Sequence, residues 1–214
     1  HSPAYCFAAP SRLKPMTQLL LIRHGQIQAN RKGHWHGSTD SPLTWIGRWQ
    51  AHKTGRHVGK TFPLTAVYAS PLQRCRHTAA AIAKRAGHSV VIHDDLREYG
   101  IGEWEGMPHR DLQKQHRFID LSTANHDFAP PGGETLGGVA KRVTEALREI
   151  AERHGPDERI AVVSHGAALG VALGTLLDND PGRWTRYQFA NCSLTELVLS
   201  PAPYVNFFNQ TFHL

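Results

Sequence analysis

The residues of this chain that could do chemistry gather after apolar runs. Arg23-His24-Gly25 follows Gln18–Ile22, Ser70-Pro71-Leu72-Gln73-Arg74 follows Ala66–Ala69, and Ser164-His165-Gly166 follows Ile160–Val163. In open α/β sheets, ligands collect beyond the carboxyl ends of the strands. If the three runs are parallel neighbours, Arg23, His24, Arg74 and His165 meet on one rim. A guanidinium offers a planar fork that bonds two oxygens at once. An imidazole held in one tautomer is a neutral nucleophile or a donor. A glycine after each histidine lets backbone come close at a tight turn, and the helix N-termini that follow would add N–H groups. Together these suit a phosphoryl dianion. Each residue alone has an ordinary explanation, as a strand-end cap or a surface arginine. The repetition at three strand ends points instead to a phosphate site.

The elements that must position these groups are read from periodicity. Five short apolar runs, Gln18–Ile22, Ala66–Ala69, Ser89–Ile92, Ile160–Val163 and Ser193–Leu199, read as strands. The first and fourth are continuously apolar, the pattern of strands covered on both faces. The fifth alternates, which predicts an edge strand. Leu136, Ala140, Val143, Leu147 and Ile150 mark one face of a helix that Gly155-Pro156 ends, and Thr78–Ala86 is an alanine-rich helix stopped by Gly87. Alternating strands and helices predict an α/β fold, a three-layer sandwich with a mostly parallel central sheet and helices on both faces. Residues 100–133 break the rhythm and are expected to form a small cap over one end of the sheet.

The 214 residues suit one domain, expected over 16–214. Residues 1–15 carry three prolines and no apolar stretch of signal length, and are expected to be a tail added to the fold. With 40% apolar and 20% charged residues the chain can fill a core, which excludes intrinsic disorder. The 18-residue uncharged stretch Ile160–Leu177 is punctuated by three glycines and reads as a buried strand and helix rather than a membrane span. The net charge is +6, but the basic residues are scattered, so neither nucleic acid nor a membrane is expected as a partner. An anionic small molecule fits the charge as well. Three distant cysteines, Cys6, Cys75 and Cys192, form no disulfide framework and suggest a reducing, cytoplasmic setting. Monomer and homodimer are both left open.

These motifs closely resemble the histidine phosphatase superfamily, in its phosphoglycerate-mutase-like branch, over residues 18–214. Arg23-His24-Gly25 matches the defining triplet, with Asn30 seven residues beyond Arg23. Gly37, Asp40, Pro42-Leu43-Thr44, Gly47 and Gln50-Ala51 match the next block. Ser70-Pro71-Leu72 with Arg74 and Thr78-Ala79, then Leu96-Arg97-Glu98 with Gly102 and Trp104-Glu105-Gly106, match two more. Pro131–Glu134, Val163–Gly166, and Asn209 with His213-Leu214 complete the series.

The resemblance implies phosphoryl transfer through a phosphohistidine, with no cofactor and no metal. His24 would be the nucleophile, Arg23, Arg74 and His165 would orient the phosphoryl oxygens, and Asn30 and Gly166 would complete the binding site. Glu98 matches the proton donor, although Asp95, Glu103 and Glu105 lie close in sequence. The bland alternative for Glu98 is an ion pair with Arg97 or Arg74. The chain departs from the family at His36, where glutamine is common, and at Cys75, where alanine is usual. His34 and His36 could take up a metal adventitiously, and Cys75 reads as a small packed residue. Three functions fit: a phosphomonoester hydrolase of α-ribazole phosphatase or broad-specificity type, a cofactor-dependent phosphoglycerate mutase, or a catalytically silent phosphate-binding protein. Only 35 residues separate Glu98 from Glu134, where mutases carry a longer insertion, so hydrolysis is the expectation.

Overall fold

Leu19, Leu20, Leu21 and Ile22 are completely buried in the computed structural model, which describes residues 17–199 and 202–214. They lie on β1 (Gln18–Arg23). Because side chains alternate along a strand, Leu19 and Leu21 enter one core while Leu20 and Ile22 enter a second. Two cores on one strand require a layer of helices on each side, and the chain supplies them. The tail expected over 1–15 lies outside the described residues.

The sheet has six strands in the order β3-β2-β4-β1-β5-β6. β2 (Leu64–Ala69), β3 (Val90–Ile92) and β4 (Arg159–Ser164) run parallel to β1, whereas β5 (Leu194–Val198) and β6 (Tyr204–Gln210) run antiparallel to their neighbours. β1 pairs with β4 in a register that sets Arg23 beside Ser164, and β4 pairs with β2 so that Ala69 faces Val163. The ends of three adjacent parallel strands therefore coincide. One face is covered by α2 (Trp45–Thr61) and α3 (Gln73–Ala86), which bring Val58, Ala79 and Ile82 to the core of Leu20 and Ile22. The other is covered by α6 (Leu136–Glu152) and α7 (Gly166–Asp178), bringing Val139, Val143, Leu169 and Leu173 to the core of Leu19 and Leu21. This is the mostly parallel three-layer α/β sandwich that the periodicity predicts.

Two details differ from the sequence reading. β5 is not an edge strand: it is buried along its whole length, and β6 flanks it. The alternation misleads because Glu196, which reads as solvent-facing, is only 4% exposed and pairs with Arg159 of β4 at 2.9 Å. α3 begins at Gln73, five residues before the alanine-rich segment, so Arg74 belongs to its first turn. α2 has no strong apolar stripe, because part of its inner surface is glycine.

The segment over 100–133 contains a short 3₁₀ turn (Gly102–Trp104), α4 (His109–His116) and α5 (Phe118–Ala124). Its anchor is the Trp35–Phe118–Tyr99 aromatic cluster, with ring centroids 5.3–6.1 Å apart. Trp104 stacks on His116 rather than facing a cavity. Among the described residues, no helix is long and apolar enough to cross a membrane.

Close backbone contact helps to hold the loop after β1. Gly47, in the first turn of α2, lies so close to this loop that an added Cβ would fall on the carbonyl oxygen of Gln26. The Thr44 hydroxyl caps the same turn, accepting from Gly47 N–H at 3.0 Å. Helix propensity alone makes Gly→Ala favourable by about 1 kcal/mol. Overpacking against backbone costs roughly 1–3 kcal/mol and should reverse that sign. Gly47→Ala is therefore expected to destabilise the protein in urea unfolding. A stabilised variant would mean that α2 can slide away from the loop freely.

Candidate active site

His24, the first residue past β1, is buried, and its Nδ1 lies 2.8 Å from the carbonyl oxygen of Gly25. A carbonyl accepts only, so Nδ1 carries the proton and Nε2 keeps its lone pair. The loop is pinned around it. The Gly25 N–H donates to the Thr78 hydroxyl, and the His24 carbonyl accepts from Asn191 Nδ2 at 2.9 Å. Burial, with Arg74 and Arg23 adding positive charge, holds the His24 imidazole well below the usual histidine range. The ring is a neutral base with one nitrogen free.

His165 follows β4 and packs edge-on to His24, with ring centroids 5.2 Å apart. Its Nδ1 accepts from Arg74 Nε at 3.2 Å, and its Nε2 lies 2.8 Å from the Ser70 hydroxyl. Burial, then Arg74, His24 and Arg23, drive it too toward the neutral form. Arg74 is fully buried. Its other nitrogens donate to the carbonyls of Thr39, Gly37 and His36 at 2.7–3.2 Å, which ties the loop after α1 (Gln28–Lys32) to the sheet. Cys75 packs its sulfur 3.4 Å from His165 Nε2, and burial pushes the thiol well up, away from a reactive thiolate.

Beside these groups lies a cavity of about 210 Å³ whose walls include Arg23, His24, Asn30, Glu98 and Gly166. Arg74 and His165 are not among its lining residues, so they sit behind the cavity rather than on its wall. Arg23 Nη1 donates to the Phe189 carbonyl at 2.6 Å, while its Nε is buried and has no acceptor among the described residues. Because Arg23 lines the cavity, its unpartnered N–H is a donor it can offer to an anion's oxygen. A Cβ at Gly166 would come within 3.3 Å of that nitrogen, a tight contact that the guanidinium would have to yield to. Asn30 points its amide nitrogen away from the loop, since its Oδ1 accepts from Ile27 N–H and Asn191 Nδ2.

Of the neighbouring acids, Glu98 alone reaches the cavity. It forms no ion pair with Arg97 or Arg74. Its carboxylate accepts from Ala168 N–H at 2.7 Å and Ala167 N–H at 3.2 Å, the first turn of α7. Glu105 instead gathers the backbone N–H groups of Gly37, Ser38 and Ile101, a structural role. The free helix N-termini foreseen from the sequence are thus partly spent: Glu98 takes two donors of α7, and Asp40 takes Gln73 N–H of α3. Among the described residues no three His, Cys, Asp or Glu side chains cluster as a metal site, and His36 bonds Ser41.

The far wall combines residues that the sequence reading singled out with ones it missed. His34 and His36 are there with Trp35 between them, and the cap segment contributes His109 and Ile119. Trp184, Thr185, Gln188 and Phe189 complete it from the 3₁₀ turn Pro181–Arg186 and the loop that follows. The Asp180-Pro181 pair marked a turn there, but nothing in its composition pointed into a site.

The model of the histidine phosphatase superfamily (branch 1) matches residues 19–206. The chain is 32% identical over 192 residues to a probable phosphoglycerate mutase, GpmB, of Yersinia enterocolitica, covering 89% of this chain and 88% of that protein. It is also 32% identical over 166 residues to the uncharacterized phosphatase PhoE of Bacillus subtilis, covering 78% and 80%. Phosphoserine phosphatase of Entamoeba histolytica, solved with 3-phosphoglyceric acid, superposes with a TM-score of 0.82 at 27% identity, covering 92% of this chain and 99% of that one. With the family model spanning nearly the whole sheet and both histidine-bearing strand ends, the chain belongs to the histidine phosphatase superfamily, branch 1, and is a phosphatase of it.

Proposed function

We propose that the protein hydrolyses small phosphomonoesters through a phosphohistidine on His24. The observation that carries this reading is the His24 tautomer: Nδ1 is committed to the Gly25 carbonyl, so the unprotonated Nε2 is the nitrogen left to attack. Arg23, with its unpartnered Nε–H, binds the phosphoryl oxygens together with Asn30 and Gly166, while Arg74 adds positive charge from behind and holds the neutral His165 ring against His24. Nε2 of His24 bonds to phosphorus as the ester P–O bond breaks. The departing oxygen takes a proton from the Glu98 carboxyl group. Water then attacks the phosphohistidine, gives its proton to the Glu98 carboxylate, and leaves inorganic phosphate and neutral His24.

Hydrolysis rather than transfer is favoured by the far wall. A phosphoglycerate mutase must hold a substrate carboxylate, and beyond Arg23 the cavity is lined by imidazoles, aromatic rings, Thr185 and Gln188, with no second Lys or Arg. The cap is also short. Phosphoserine, sugar phosphates and the α-ribazole phosphate class are all small enough to be tested as substrates.

Three outcomes are expected. Quenching in alkaline detergent during turnover should trap a base-stable, acid-labile phosphoenzyme, absent in His24→Ala. In single turnover its phosphate should appear in water whether or not 3-phosphoglycerate is present. Quantitative transfer to 3-phosphoglycerate would make the enzyme a mutase. Glu98→Gln should lower kcat/KM, which reports transfer to His24 and not the later hydrolysis, by about 10²–10⁴-fold for alkyl phosphates but spare it for p-nitrophenyl phosphate, whose leaving group needs little protonation. Equal losses on both would remove Glu98 from the proton-donor role.

The third outcome concerns pH. His24 and His165 remain neutral in the folded protein while their unfolded counterparts protonate near 6.5. The unfolded state therefore binds more protons below that pH, and stability must fall as pH drops from 7 to 5. A melting temperature that falls less steeply in His24→Gln than in the wild type is the expected result. Identical slopes would mean that His24 takes up its proton as readily in the fold as in the unfolded chain.

A further inference from the structure

From Ser41 to His93 the chain has eight Lys or Arg and no Asp or Glu. Along the sequence these cations stand apart, with no basic run. The fold undoes that spacing. α2 and α3 lie side by side on one face of the sheet, with Gly55 against the Ala81 backbone and Gly59 against Arg85. Arg48, Arg56 and Lys60 of α2 and Arg76, Lys84 and Arg85 of α3 are all exposed on their outer stripes. None of the six forms an ion pair with a carboxylate among the described residues. His52 and His77 join Arg48 along the groove between the helices. Asp40, the acid at the margin of this face, shares a hollow with Arg76 and is engaged by Gln73 N–H.

The same stripe of α2 begins with two indoles. Trp45 is 77% and Trp49 48% exposed, and Lys53 Nζ lies 5.4 Å over the Trp49 ring. Tryptophan is highly buried on average, and two exposed one turn apart ask for a covering. The partner must therefore meet unpaired cations and, at one end, apolar rings. A duplex nucleic acid answers the cations and leaves the rings in water. The interface of an anionic bilayer answers both, since indoles settle at headgroup level and each Lys or Arg gains from the negative surface.

We propose that the α2–α3 face docks on membranes containing anionic phospholipid, with Trp45 and Trp49 entering the headgroup layer. This surface binding is distinct from spanning, and it runs against the expectation of no membrane partner, which rested on the absence of a span and on basic residues that are scattered along the sequence but gathered by the fold. Gly47, between the two indoles, packs on the loop that follows His24. Docking by this end of α2 brings the candidate site close to the lipid surface.

Flotation with vesicles tests the proposal: phosphatidylcholine alone, and phosphatidylcholine with 30% phosphatidylserine, at 0.1 M salt. Binding is expected only to the second, with a blue shift of tryptophan emission and release in high salt. Arg56→Glu with Lys84→Glu should lower the bound fraction at least about tenfold. Trp45→Ala with Trp49→Ala should abolish the blue shift. Hydrolysis of p-nitrophenyl phosphate in solution should be unchanged in both. Equal binding to neutral vesicles, no binding to either, or retention by the charge-reversed variant would overturn it. So would preferential capture by a single-stranded oligonucleotide competing with the vesicles, which would assign the face to nucleic acid. The hydrolysis control keeps failure of this surface separate from failure of the catalytic reading.

Discussion

One hydrogen bond, from His24 Nδ1 to the carbonyl of its own neighbour Gly25, governs the rest of the site. It selects the tautomer, and so decides which nitrogen can react. The bond exists only if the Gly25 carbonyl points back toward the ring. That direction depends on the turn after β1, on the Thr78 hydroxyl that takes the Gly25 N–H, and on the bare backbone contact with Gly47. A catalytic choice between two nitrogens thus reaches into the packing of helices on the far side of the sheet.

Around that bond the positive charges are arranged at different depths. Arg74 is locked to three carbonyls and to His165, so its charge cannot wander. Arg23 is only half-satisfied and faces the cavity. Burying two guanidiniums near two imidazoles suppresses protonation of the rings, which is the state a nitrogen nucleophile requires. The same crowding would be costly without an anion to share it, so affinity for a dianion and a neutral nucleophile arise from one arrangement.

Much of this was legible before any coordinates. The strand-end placement of His24, Arg74 and His165 follows from β-runs whose burial on both faces shows as unbroken apolar sequence. The family blocks also marked Glu98. What separates Glu98 from Glu103 and Glu105 is where the first turn of α7 lies, a contact some seventy residues away along the chain. The depth of β5 was hidden because Glu196 is neutralised by Arg159, a partner that no local pattern reveals. α2 was hard to see because it packs through glycine, which carries no hydropathy signal. The wall from Trp184 to Phe189 sits in a turn, and turn chemistry says where the chain bends but not what it bends around.

The position of β1 has a consequence for how the molecule comes into being. It is the first of the described strands along the chain, yet its neighbours in the sheet are β4 and β5, more than a hundred residues further on. During synthesis β1 must wait, apolar and unpaired on both edges, until more than a hundred further residues have emerged. Folding that depends on such distant pairing is slow, and exposed strand edges invite association in the meantime. The protein therefore has its period of greatest vulnerability on the ribosome, and a chaperone that shelters β1 would matter more to its yield than any single contact in the finished core.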